Sequence, residues 1–251
     1  LCSAFLFFGL DTRICPISHS WCELWHSAHC LGANMGFFNS IFGKKAPPAR
    51  ELNHPSALKI GDMISIDNSF ALPPQLRGQQ LKVEAVNTYE FERNQQTEWV
   101  LKGHGSETLF LSIEEDDETY LAFSLKITRA QVEQLFDLEQ FSTLFDEPGH
   151  AELTTQELSP QLAEQLEQWL GKQYHQVTFA LFGYFHREDY RGLKPPQDAN
   201  GATGEPFEYY LLLDDDESRA VEVEVYEGGD TDVVLTLYRP LSDIRDYWPG
   251  Q

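Results

Sequence analysis

Apolar residues recur at every second position in several short runs of the chain. Leu109, Leu111 and Ile113 form one such run and Leu121, Phe123 and Leu125 the next; the spacing returns at Val221, Val223 and Val225 and at Val233, Leu235 and Leu237. Period-two alternation puts one set of side chains on one face of an extended segment, the pattern of a strand with one buried and one solvated face. Within each pair the runs are separated by turn-like sequence, "EEDDE" in one case and "YEGGD" in the other, so both pairs are predicted to be antiparallel hairpins. A helical period occurs in "SPQLAEQLEQWLG". There Ser159 suits the N-cap and Pro160 the first turn, Leu162, Leu166, Trp169 and Leu170 share a face, and Gly171 marks the stop. "DLEQFSTLFDEPG" predicts a shorter turn of helix, ended by Pro148 and Gly149.

The two hairpins are related. Residues 109–136 lie over residues 221–248 without a gap, and after the strands Val132, Leu135 and Phe136 meet Ile244, Tyr247 and Trp248. Each copy reads as strand, acidic turn, strand, short helix. A weaker likeness continues upstream, "LKVEAVNTYEFER" to "VTFALFGYFHRED" and "TEWVL" to "FEYYL". The predicted fold is α+β: two related antiparallel β-rich halves, SH3-like or curled sheets, with connecting and packing helices. Residues 58–150 form the first half; residues 151–251 hold a helix and the second.

The first 57 residues have a different character. Cys2, Cys15, Cys22 and Cys30 all precede Met35, and no cysteine follows. A cysteine-free body suits a reducing compartment, and the x6 and x7 spacings between Cys15, Cys22 and Cys30 lack the close pairs of structural zinc sites. No basic residue precedes "LCSAFLFFGL" and no small-residue cleavage site follows it, so it does not read as a secretory signal. Residues 1–34 are therefore expected to be a disordered, mis-translated upstream segment, with Met35 the natural start. Residues 35–57 comprise an amphipathic segment and a Pro-rich linker containing Pro47, Pro48 and Pro55. Phe37, Phe38, Ile41 and Phe42 share one face of a helical turn, flanked by Lys44 and Lys45. Such a docking face fits a lipid headgroup region or a groove on a partner; the competing reading is that it packs on the protein's own core.

Charge narrows the function classes. The formal net charge is −22, nearly all of it after Met35. This repels nucleic-acid phosphates and anionic lipid, so no nucleic-acid partner is expected and weak membrane-surface contact would have to come from the N-terminal segment. Two acidic runs, Glu114 to Glu118 and Asp214 to Glu217, lack the ligand spacing of a calcium loop and read as solvated turns. His186, Arg187, Glu188 and Asp189 are consecutive, so on a strand they alternate faces and do not form one site. No nucleophile elbow, metalloprotease helix or phosphate loop is present, and no catalytic residue, cofactor or metal is expected.

"MGFFNSIFGKK", "LKIGDMISID", "VEVYEGGDTDVVLTLYRPL" and the terminal "DYWPG" together resemble the YjfK-like family of conserved bacterial proteins. The resemblance spans Met35 to the C-terminus and transfers no functional residues. It implies a setting in membrane-stress physiology, since genes of that family tend to neighbour one for a phage-shock-type coiled-coil protein. The resulting expectation is a non-enzymatic, acidic cytoplasmic adaptor, peripheral at the inner membrane, whose partner is a protein such as that coiled-coil protein. Two alternatives stand beside it: an enzyme using loop-borne His and carboxylates, and an acidic mimic of nucleic acid. On the adaptor reading, replacing Phe38 and Phe42 by Asp abolishes co-sedimentation with liposomes or partner and leaves the melting temperature alone. Unchanged association with a lowered melting temperature would place that face in the protein's own core.

Overall fold

The computed structural model describes residues 50–250 apart from Asp116, Ala199 and Asn200. Thirteen strands occur among them: β1 (Met63–Ile66), β2 (Gln80–Phe91), β3 (Gln95–Lys102), β4 (Thr108–Glu115), β5 (Thr119–Ile127), β6 (Glu152–Thr154), β7 (Gln173–His186), β8 (Gln197–Asp198), β9 (Gly201–Ala202), β10 (Glu205–Asp214), β11 (Arg219–Tyr226), β12 (Thr231–Pro240) and β13 (Ile244–Trp248). The helices are short: α1 (Arg129–Leu135), α2 (Leu138–Ser142) and α3 (Pro160–Leu166), with 3-10 turns beside them.

The principal sheet runs β13-β1-β2-β3-β4-β5-β12-β11-β10-β7-β6, every pairing antiparallel, and β2 also pairs with β7. That extra pairing joins Thr88, Tyr89, Glu90 and Phe91 to His186, Phe185, Tyr184 and Gly183 and closes β2, β3, β4, β5, β12, β11, β10 and β7 into an eight-stranded barrel. Away from this seam the two strands part: β2 turns to β1, and β7 to β6. Residues 177–182 of β7 keep only β10 as a sheet neighbour, and Val177, Leu181 and Phe182 are exposed there.

The expected α+β arrangement of two SH3-like halves is thus corrected to one closed antiparallel β-barrel with a few short helices. Each half supplies four staves, β2 to β5 from the first and β7, β10, β11 and β12 from the second. The hairpins fall where the alternation places them, but the ungapped match is not true in register. Leu109, Leu111 and Ile113 face Leu125, Phe123 and Leu121, whereas Val221, Val223 and Val225 face Leu235, Val233 and Thr231, a slip of two residues. Faces survive such a slip because the strand period is two. The helix expected at the end of the second copy is absent: Leu241–Asp243 is a 3-10 turn, and Ile244–Trp248 is β13, which pairs with β1.

The alternating apolar residues point away from the barrel axis. Leu101, Leu111, Leu121, Phe123, Val221, Val223 and Leu235 are fully or nearly fully buried in one cluster. Val132 and Leu135 of α1, Leu162 and Leu166 of α3, Trp169, Leu72, Leu76, Ile64 and Ile244 belong to the same cluster and cover them. The predicted helix signals hold locally, with Ser159 Oγ accepting from Leu162 N–H at 3.3 Å and Pro160 at the first turn. Arg50 and the backbone N–H groups of Lys59 and Gly250 converge on the buried carboxylate of Asp62, tying both ends of the described chain together. Asp214 accepts from Ser218 N–H (2.8 Å) and Arg219 N–H (3.0 Å), which makes the second acidic run the tip of the β10–β11 hairpin.

Gly183 lets the seam form. A Cβ there would stand 2.9 Å from Phe207 Cζ and 3.0 Å from Phe91 Cδ1, and aromatic rings on both flanking strands cannot both retreat. Gly183→Val is therefore expected to destabilise the fold by about 1–3 kcal/mol, the usual cost of overpacking, seen as a lowered denaturant midpoint. An unchanged midpoint would show that the β2–β7 contact contributes little.

Candidate binding site: the barrel lumen

The strand positions between the buried apolar ones point inward and are largely polar. Asn87 and Tyr89 on β2, Gln96 and Glu98 on β3, Ser112 and Glu114 on β4, Ser124 on β5, Tyr209 on β10, and Glu222, Glu224 and Tyr226 on β11 all line one cavity of about 640 Å³. An eight-stranded barrel is just wide enough to be filled by side chains or to hold one small ligand. Here small residues (Ala85, Ser112, Ala122, Ser124) leave the space open, and polar groups border it.

Seven acidic residues line this cavity; besides Glu205, Asp230 and Asp232 they are Glu98, Glu114, Glu222 and Glu224, each held by neighbouring side-chain donors. Glu98 accepts from Asn87 Nδ2 at 2.8 Å and from the Tyr89 hydroxyl at 3.4 Å. Glu222 accepts from the Tyr209 hydroxyl at 2.8 Å and from the Thr236 hydroxyl. Glu224 accepts from the Tyr226 hydroxyl at 2.5 Å, and Glu114 from the Gln96 amide. β3 and β11 lie on opposite sides of the ring, so Glu98 faces Glu222 and Glu224 across the lumen. Glu98, Glu114 and Glu222 are part-buried, and all three line the cavity.

Withdrawal from bulk water disfavours the charged form of an acid, and neighbouring carboxylates add to the effect. Burial is the largest cause for each. It raises Glu98 from an ordinary 4.5 to about 8, helped by Glu224 and Glu222 and opposed by the Asn87 and Tyr89 hydrogen bonds. Burial, with the charge of Glu222, brings Glu114 to about 7. Burial brings Glu224 to about 7 against the hydrogen bonds from Tyr226 and Tyr89. Glu222 is raised as well, again by burial, against its bonds from Thr236 and Tyr209. The hydroxyls of Tyr89, Tyr209, Tyr226 and Tyr238 are pushed upward by burial and by these carboxylates, so they remain neutral donors.

The cations among the lining residues, Lys126 and Arg187, are paired with Asp232 and, at 3.1 Å, with Glu205. The side chains of Lys126 and Arg187 are 48% and 68% exposed, which places both pairs at a rim. Around the seam the inward face is aromatic. Tyr89 packs tilted against Phe185 (ring centroids 5.0 Å apart) and edge-to-face on Phe207 (5.5 Å), and tilted contacts join Phe91 to Tyr209 (6.0 Å) and Phe207 to Tyr226 (5.7 Å).

The residues singled out in the sequence lie elsewhere. Phe37, Phe38, Ile41, Phe42, Lys44 and Lys45 fall outside the described residues. His186 is buried on the outward face, its Nε2 3.0 Å from Glu90, while Arg187 faces the lumen; their alternation is the expected one. Glu114, read with its neighbours as part of a solvated turn, is instead an inward residue near the end of β4. Among the described residues no group of His, Cys, Asp and Glu is arranged to hold a metal ion, and no helix is long and apolar enough to cross a membrane. The inward glutamates were missed because polar positions alternating with apolar ones read as a solvated face. The available signal was aromatic: Tyr89, Phe91, Phe185, Phe207, Tyr209 and Tyr226 share the parity of the carboxylates, and a water-facing side of a sheet has no need of so many rings.

No family model matches the chain, and neither a curated protein nor a solved structure does.

The raised carboxyls have a thermodynamic consequence. The folded barrel holds protons that the unfolded chain has released above its ordinary value of 4.5, so stability falls as pH rises from there through about 8. The slope is about 1.4 kcal/mol per pH unit for each extra proton held. Melting temperature is therefore expected to decline between about pH 5.5 and pH 8.5, with Glu98→Gln flattening the upper part of the curve. A profile that is level or rising over that window would show the carboxyls to be ionised and solvated.

Proposed function

We propose that the protein binds a small polar molecule in the lumen of its barrel. One observation carries the reading: all eight staves contribute to an open cavity of about 640 Å³ whose lining is polar where the interior of a purely structural barrel would be filled. Cavities of this size are typical of sites that enclose a small ligand. Carboxyls and tyrosine hydroxyls from different strands converge on it, giving both acceptors and donors around a bound molecule. A rigid sheet holds these groups, so little ordering remains to oppose binding. The adaptor role expected from residues 35–45 is a separate proposal, and a lumenal ligand neither requires nor excludes it.

The test is a thermal-shift and NMR screen against amines, sugars, amino acids and nucleosides. At least one class is expected to raise the melting temperature, by the equivalent of about 2.7 kcal/mol at a hundredfold excess over Kd, and to shift the resonances of Tyr89, Tyr209 and Tyr226. Ser112→Phe, which fills the lumen, is expected to abolish both effects, while Val177→Phe on the outer surface preserves them. Shifts confined to outward residues, or binding indifferent to Ser112→Phe, would overturn the reading.

A further inference from the structure

Resting on the lumenal reading, the geometry points to a ligand class: we propose that the lumen takes a small organic cation, bearing ammonium or guanidinium groups, seated between Glu98 on β3 and Glu222 and Glu224 on β11.

The deep part of the cavity offers acceptors on opposing walls and no cationic side chain. Glu98 and Glu114 enter from one side, Glu222 and Glu224 from the other, while Lys126 and Arg187 are occupied at the rim by Asp232 and Glu205. An anion placed there would find hydroxyl and amide donors but no free cation to balance its charge, and the carboxyls, once ionised, would repel it. A neutral polyol would find hydrogen bonds, but it would leave the mutual repulsion of the carboxylates unrelieved. A cation relieves it and can donate to two walls at once. Tyr89, Tyr209 and Tyr226 add aromatic rings to the lining, and a ring attracts a cation in a desolvated site more strongly than it attracts a neutral group.

The titration of the site follows from the same layout. Glu98 is met by Asn87 and Tyr89 from β2 and by Glu222 and Glu224 from β11. Glu224 is met by Tyr226 beside it, Tyr89 from β2 and Asp232 from β12, and Glu222 by Tyr209 from β10 and Thr236 from β12. Glu114 is met by Gln96 from β3 and by Glu222. Tyr238 of β12 approaches both Glu222 and Glu114. None of these neighbours is a cation, so the lumen by itself retains protons near neutral pH. When an ammonium group enters, a carboxylic acid becomes a carboxylate paired with it, and one proton leaves to solvent for each carboxyl that ionises. Binding therefore strengthens with rising pH, by up to about tenfold per pH unit for each proton released.

The test is titration calorimetry on the full chain with putrescine, spermidine and agmatine, against the neutral probes butanediol and glucose and the anions succinate and citrate. Moderate salt suppresses loose attraction to the acidic outer surface. At least one of the cations is expected to bind with a stoichiometry of one, to release protons detectable as a buffer-dependent heat, and to weaken as pH falls from about 8.5 to about 6. Glu98→Gln and Glu224→Gln should each cost about tenfold or more in affinity, because a charge-assisted contact becomes a neutral one. The same variants should melt at or above the wild-type temperature near pH 8, so lost binding cannot be put down to lost folding. Cation binding that ignores both substitutions would place it on the outer surface and overturn the proposal. Binding of a neutral or anionic probe at least as tight as that of every cation would overturn the cation assignment while leaving the lumenal site standing. Silence from all three cations would overturn the cation assignment, and the broader screen above then decides whether the lumenal site itself stands.

Discussion

Everything specific to this molecule depends on four residue pairs between β2 and β7. Without them the chain would be an open, curled antiparallel sheet of the common kind, one face covered by helices and loops and the other washed by solvent. With them the solvent-facing side becomes the inside of a tube. The same alternation of apolar and polar residues serves both cases, and the seam alone decides whether Glu98, Glu114, Glu222 and Glu224 meet bulk water or one another. Its construction reflects that burden: Gly183 makes room, and the rings of Tyr89, Phe91, Phe185 and Phe207 pack across the join.

Closing the barrel has an electrostatic cost. Carboxyls removed from bulk water either lose stability as anions or keep their protons, and the second course is less costly where a cation is lacking. The lumen softens the penalty with hydroxyl and amide donors, one or two to each carboxyl. It does not remove it, since every one of the four remains shifted upward. A barrel selected for stability alone would fill the same positions with Val, Leu and Phe. Keeping polar groups where packing would favour apolar ones is what the proposed lumenal binding site would require, at some cost in stability.

Much of the wall was legible in the sequence, and the lumen was not. Leu109, Leu111, Leu121, Phe123 and Leu125 announce their strands and buried face by periodicity alone, and so do Val221, Val223, Val233, Leu235 and Leu237. The cap at Ser159 and the acidic hairpin tip after Asp214 follow from local chemistry. Closure does not, because it joins Tyr89 to Phe185 across almost a hundred residues and leaves no trace in local pattern. The misreading of Ile244 to Trp248 as helix has a similar origin. A short apolar segment takes its form from its neighbour, and β1 supplies an edge to pair with that no local propensity foretells. The internal repeat pointed to two like halves. That each was half a barrel and not a barrel of its own depended on the strand count and on the seam.

The enclosure of the lumen is tested most directly by an NMR titration that follows the side-chain carboxyl carbon of each glutamate. With the barrel closed, Glu98, Glu114, Glu222 and Glu224 are all expected to titrate above the ordinary carboxylate range, Glu98 at about 8 and Glu114 and Glu224 at about 7, with Glu98→Gln altering the curves of the carboxyls it faces on β11. If all four instead titrate in the ordinary carboxylate range, indifferent to one another, the face they occupy is open to water and the barrel is not closed.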